Sequence, residues 1–265
     1  MFLLLPPSEG KAPGGAGPPV GTRPALSTPE LVAPRRVLLA ALRQAARDDP
    51  EALARGLRLP TSVATAALAA DVAATRAPTM VALDRYVGVV YQGLAAAEMS
   101  PAVRRRADEH VLVFSGLWGV VRGGDLLPDY RVPAAGSVPG LGGVTRHWRG
   151  PLAKALPAIV GAAPVLDLRS SDYLALWRPG PELRPQVMTV RVLAARGAGS
   201  GRVVGPVSYH AKWVKGQLAR HVLASRRTFS QARSAVEDAA AALGLNVVDT
   251  GSDQAPSVDL IGQYP

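Results

Sequence analysis

The chain has 265 residues, of which 48% are hydrophobic and only 5% aromatic, so it is long enough to bury a substantial core and must build it mainly from Ala, Val and Leu. It contains no cysteine, which excludes disulfides, thiolate metal sites, cysteine nucleophiles and iron–sulfur ligation together and fits a cytoplasmic setting. Thirty Lys plus Arg against twenty Asp plus Glu leave a formal charge of +10, which favours contact with nucleic acid, nucleotides or other anions without choosing among them.

In chain order, residues 1–5 are apolar, but no basic segment precedes them. Pro6-Pro7 also stops them far short of a secretory core or of the ~20 residues that cross a bilayer. They read as a strand, with no membrane partner. Residues 12–24 form a Gly/Pro-rich loop. Thr28, as N-cap, and Pro29, at the first helical position, open a helix to Asp48 with Leu38, Leu39 and Leu42 on one face. Residues 50–75 are Ala- and Leu-rich with breaks at Gly56 and Pro60, which predicts a small helical hairpin inserted at about 50–76. Residues 80–94 read as helical, and Ser100-Pro101 opens a further helix carrying Arg104, Arg105 and Arg106 on a solvated face.

The apolar run Val111-Leu112-Val113-Phe114 and the run 163–168 read as buried strands, each feeding a polar turn. Residues 187–193 and 202–207 are expected to pair across the glycine-rich turn 197–201. Residues 212–226 and 231–243 read as helices. Strands and helices mix without strict alternation, which predicts an α/β fold with a mixed sheet flanked by helices. With no internal repeat and no linker, one domain over 1–265 is expected.

Three segments place polar residues directly after short apolar strands, the arrangement by which such folds gather a site at one sheet edge. The first is Ser8-Glu9-Gly10-Lys11, which lacks the P-loop spacing but can present an amide and an ammonium to an anion. The second runs from Ser115-Gly116-Leu117-Trp118-Gly119 through Asp125 to Tyr130-Arg131, offering an acceptor, a phenol and a bidentate oxyanion clamp. The third is Asp167-Leu168-Arg169-Ser170-Ser171-Asp172-Tyr173. A basic cluster over 208–216, with His210 and Lys212, sits at a strand-to-helix junction where lysine opposes the macrodipole. The histidines have no metal-motif spacing and no Gly-x-Ser-x-Gly elbow is present, so neither a metal nor a cofactor is expected.

Together with Val90-Tyr91-Gln92-Gly93-Leu94 and His147-Trp148, these segments resemble the YaaA family of peroxide-stress proteins. The Ser-Gly-Leu-Trp-Gly-Val-Val-Arg block leading to Tyr130-Arg131 is the most specific part. The resemblance implies a mixed sheet wrapped by helices, a helix-hairpin-helix-like element, cytoplasmic location, protection against iron-driven oxidative damage, and DNA as a partner. The matching positions would line a positively charged cleft with Lys11, Tyr91, Ser115, Tyr130, Arg131, Ser170, Tyr173 and Lys212. This sequence departs from the pattern in its first loop, at Gly123, and over 50–75, which has no lysine and no Gly-apolar-Gly hairpin to grip phosphates.

Two readings follow. The first is stress protection through DNA contact. The second is a metal-independent enzyme of specialised metabolism acting on a small phosphate-, sulfate- or nucleotide-bearing substrate, by displacement or elimination. In it Lys11, Arg131 and Lys212 stabilise anionic charge while Tyr91, Tyr130 or Asp125 moves a proton, and Ser8, Ser115, Gly116, Trp118, Ser170, Ser171, Tyr173 and His210 line the site. A protein partner is left open.

Overall fold

The computed structural model describes residues 1–20, 26–195, 203–204 and 208–262. Strand β1 (Phe2–Leu5) is followed by the loop of residues 6–20 and, after a 3-10 turn (Pro29–Leu31), by helix α1 (Val32–Asp48), whose Leu38, Leu39 and Leu42 are buried. Helices α2 (Pro50–Gly56) and α3 (Thr61–Ala73) form the helical insertion. Next come β2 (Met80–Val81), α4 (Ala82–Arg85), α5 (Val89–Leu94) and α6 (Pro101–His110). Then follow β3 (Val111–Ser115), β4 (Gly119–Arg122), β5 (Leu126–Leu127), β6 (Ser137–Val138), β7 (Gly142–Gly143) and α7 (Val144–Val160). The remainder is β8 (Val165–Asp167), α8 (Ser171–Leu174), β9 (Val187–Ala195), β10 (Val203–Val204), α9 (Ser208–Ala224), α10 (Ala232–Ala242), β11 (Asn246–Asp249) and β12 (Ser257–Gly262).

The expected mixed sheet is present, in the order β11-β12-β9-β8-β1-β3-β4 with β10 paired to β9. Strands β12, β9, β8, β1 and β3 run parallel, and the edge strands β11 and β4 are antiparallel. β1 lies between β3 and β8, with Leu4 facing Leu112 on one side and Asp167 on the other. A central strand covered on both faces must be apolar throughout, which explains why Leu3, Leu4 and Leu5 are each 1% exposed or less. Because β1, β3 and β8 are parallel, the three polar loops that follow them emerge at one edge. β9 pairs with β10 as expected, although the glycine turn 197–201 lies outside the described residues.

Two local expectations change. Thr28 does not cap a helix with its side chain; its hydroxyl donates to the Val120 carbonyl at 3.1 Å, and the buried Arg35 guanidinium donates to the carbonyls of Thr28, Trp118 and Val120. Tertiary hydrogen bonding there outweighs the local cap. The helix expected over 80–94 is broken at residues 86–88, where Tyr86 bridges to Lys11 as an isolated β-pair and a Cβ on Gly88 would lie 2.3 Å from Ser8 Oγ. That break lets the chain run beside the first loop.

Candidate functional site

The slot at the C-terminal edge of the sheet is narrow, about 40 Å³. The first loop contributes Ser8, Glu9 and Lys11, the loop after β5 contributes Tyr130 and Arg131, α8 contributes Tyr173, and the turn between α2 and α3 contributes Arg58. Thus Ser8, Lys11, Tyr130, Arg131 and Tyr173 are brought together.

Lys11 is half-buried, and its ammonium lies 4.2 Å from the centre of the Tyr130 ring and 5.8 Å from that of Tyr86. It donates to the main-chain carbonyls of Ser8 at 3.1 Å and Glu9 at 3.4 Å. Desolvation, with Arg131 adding repulsion against the attraction of Asp129, Asp71 and Glu9, brings its pKa down to about 8.

Beneath Lys11 the phenols form a closed network. Tyr86 and Tyr130 share a hydrogen bond of 2.6 Å, Tyr130 and Ser115 one of 2.7 Å, and Ser115 Oγ accepts from the amides of Leu117 and Trp118. Tyr91 stacks on Tyr86 with ring centres 5.1 Å apart and donates to the Pro6 carbonyl at 2.8 Å. Burial pushes Tyr130 up to about 12 and also raises Tyr86 and Tyr91 well above the ordinary phenol value. These phenols are held in the protonated form and wall the slot from below. Gly116 belongs to the same wall because a Cβ there would sit 2.0 Å from the Val132 carbonyl, and the Trp118 ring meets Tyr130 edge-on at 6.2 Å.

The residue that sequence reasoning missed is Asp71. It stands on α3, is 1% exposed, accepts from the Arg131 amide at 2.7 Å through Oδ1, and leaves Oδ2 buried with no hydrogen-bond partner among the described residues. Burial raises its pKa to about 7, against the pull of the Arg131 amide and the Lys11 charge. The signal was an isolated acid in the apolar run Ala66-Ala67-Leu68-Ala69-Ala70-Asp71-Val72-Ala73-Ala74. Arg58 was missed as well. It closes α2 in a left-handed conformation, φ 54°, with its amide bonded to Arg55 O and that of Leu59 to Ala54 O, a Schellman cap in which glycine is usual.

Other expected residues lie elsewhere. Asp125 accepts from the Ser27 amide and hydroxyl and from the Arg122 amide, fixing a turn away from the slot. Ser170 is half-buried and Ser171 exposed at the start of α8. Lys212 is exposed on α9, where His210 packs edge-on to Tyr209 at 5.7 Å, and neither lines the slot. From the same cluster it is Lys215 that turns inward, donating to the Arg169 carbonyl at 2.8 Å. Arg169 in turn forms a buried ion pair with Asp167 at 2.6 Å, lies 4.2 Å from the Phe114 ring centre, and donates to the Tyr173 carbonyl at 3.1 Å. This chain of contacts fixes the backbone that presents Tyr173.

A cavity of about 610 Å³ lies at the opposite edge of the sheet, beside Pro164, Met188 and Ser257, but its Arg233 is committed to Asp249 and Glu237. No buried unpaired polar atom faces it among the described residues. Nor do these residues include a His/Asp/Glu cluster suited to a metal, or a helix long and apolar enough to cross a membrane.

The sequence profile described as Peroxide stress protein YaaA matches residues 1–239. The chain belongs to the YaaA family. A UPF0246 protein of Streptomyces coelicolor is 41% identical over 85% of this chain and 84% of its own length. A UPF0246 protein of Corynebacterium efficiens is 37% identical over 93% and 94%, and one of Corynebacterium glutamicum strain R 32% identical over 98% and 100%. The YaaA profile spans β1, β3 and β8 with their loops, and therefore the whole slot.

Proposed function

We propose that this YaaA-family chain is a cytoplasmic protein of peroxide-stress protection that works through a small-anion site with acid–base chemistry. The observation that carries the reading is the convergence of the cations Arg131, Arg58 and Lys11 on one slot, with the buried Asp71 bonded to the Arg131 amide and interacting electrostatically with Lys11. Arg131 is already paired with the Glu9 carboxylate at 2.9 Å, so the site supplies its own example of an anion it accepts. Lys11 and Asp71, with pKa values near 8 and 7, can each exchange a proton at neutral pH, as a general acid and base should.

The size of the slot favours a small carboxylate, phosphate or sulfate group over a polymer, because duplex DNA needs an open basic surface. The helical insertion that would offer such a surface carries only Arg55, Arg58 and Arg76, and Arg55 is paired with Glu51 at 3.7 Å.

Calorimetric titration with inorganic phosphate, sulfate and pyrophosphate, beside fluorescence anisotropy with duplex DNA over a salt series, tests the reading. Saturable binding of at least one small anion, lost in Arg131→Ala and Lys11→Ala, is expected. Tight DNA binding that survives both substitutions, with no small-anion binding, would overturn it.

A further inference from the structure

We propose that Lys11 is a covalent site whose amine condenses with the carbonyl of a small anionic carbonyl compound, such as an α-keto acid, while Arg131 holds the anionic group and Asp71 supplies the proton. This deepens the anion-site reading and rests on it.

Lys11 lines the slot beside Arg131 and Tyr130, where its amine can meet a carbonyl compound whose anionic end Arg131 holds. Its ammonium is bonded to two main-chain carbonyls, and among the described residues no carboxylate forms an ion pair with it. Desolvation and the Arg131 charge both favour the neutral amine, the form that attacks carbonyl carbon. The Tyr130 face at 4.2 Å would stabilise the cationic iminium as it does the ammonium. Asp71 keeps one carboxylate oxygen buried and without a hydrogen-bond partner among the described residues, and it interacts electrostatically with Lys11. Arg131, whose own amide is anchored on Asp71, presents its guanidinium at the mouth.

The step balances without oxidant or metal. The neutral amine adds to the carbonyl carbon, a C–N bond forms, and the carbonyl oxygen becomes a hydroxyl. Protonated Asp71 gives its proton to that hydroxyl, which leaves as water while the nitrogen lone pair closes the C=N bond. Amine, carbonyl and carboxylic acid become iminium, water and carboxylate.

The test treats the full chain with glyoxylate or pyruvate, and with acetaldehyde as the uncharged control, traps imines with sodium cyanoborohydride, and maps adducts on Lys11, Lys154, Lys212 and Lys215. Lys11 is expected to be labelled by the anionic carbonyls on the order of a hundredfold faster than Nα-acetyl-lysine at neutral pH. Arg131→Ala should cut the preference for glyoxylate over acetaldehyde by roughly tenfold. Lys11→Arg, checked for fold by circular dichroism, should abolish the adduct, and Asp71→Asn should slow it. Lys215 is the internal competitor, because burial also brings it down to about 8 although it lies off the slot. Labelling concentrated on Lys215, or spread evenly over all the lysines, overturns the inference. Absence of a Lys11 adduct while phosphate still binds also overturns it but leaves the anion site standing; absence of both overturns both.

Discussion

The carboxylate of Glu9 meets the guanidinium of Arg131 at 2.9 Å across the mouth of the slot, joining loops 122 residues apart in sequence. Glu9 is the exposed partner, with 74% of its side chain accessible against 30% for Arg131. An ion pair so open to water contributes about 0–1 kcal/mol and is easily exchanged for another anion. Glu9→Gln should therefore tighten phosphate or sulfate binding by roughly three- to tenfold, and Arg131→Ala should weaken it by at least about tenfold. Calorimetry at two salt concentrations measures both, and unchanged affinity in Glu9→Gln would show that Glu9 does not occupy the anion position.

Arg58 holds a left-handed backbone that a non-glycine residue adopts at a cost of roughly 1 kcal/mol. Arg58→Gly should raise stability by about that amount, seen as a higher Tm, while lowering affinity for small anions. A gain in Tm with anion binding untouched would mean that the side chain has no part in the slot.

Asp71 sets a pH dependence whose sign is fixed by its raised pKa. The folded chain holds the Asp71 proton up to about pH 7, whereas the unfolded chain releases it near 3.8. Stability is complete below the unfolded value and is lost as pH rises through this window, by roughly 4 kcal/mol in all. Asp71→Asn should remove that loss, melting above the wild type at pH 8 with the difference shrinking toward pH 4. A constant difference across the range would show that Asp71 is ionised throughout.

Helices α5 and α9 cross where Gly93 meets Gly216. A Cβ on Gly216 would lie 2.0 Å from the Val90 carbonyl, and one on Gly93 2.3 Å from that of Trp213. Neither backbone can yield without moving its helix, so Gly216→Ala should cost about 2–3 kcal/mol by chemical denaturation. Because Lys215 precedes Gly216, the same substitution should loosen the contact to Arg169 and with it the placement of Tyr173.

The central parallel sheet was legible because β1 and β3 begin as apolar runs ended by proline or a polar turn, and β8 as the shorter run Val165-Leu166 before the buried Asp167, each too short for a helix and consistent with a strand buried on both faces. The convergence of their loops followed from topology once those strands were identified. The 80–94 segment was misread because helix periodicity continues through Tyr86 and Gly88, and nothing local announces that Lys11 pairs there. Asp125 and Lys212 looked like slot residues because they lie in the same polar segments as residues the sequence analysis singled out, yet neither lines the slot. Which way each side chain turns is set by hydrogen bonds to Ser27 and by the rotation of α9, and both depend on distant sequence.

By itself the sequence determined the polar loops at one sheet edge: a basic chain without thiols whose central strands end in Ser8 to Lys11, Ser115-Gly116 and Ser170 to Tyr173. Periodicity and turn chemistry are local, so they could be read residue by residue. Only the tertiary structure decided which charges matter. It tied Asp71 to the Arg131 amide, strapped Arg131 to Glu9, and spent Asp125 on a turn. Desolvation, the force that shifts Lys11 and Asp71 toward neutrality, depends on everything packed around a group and therefore has no signature in the sequence next to it.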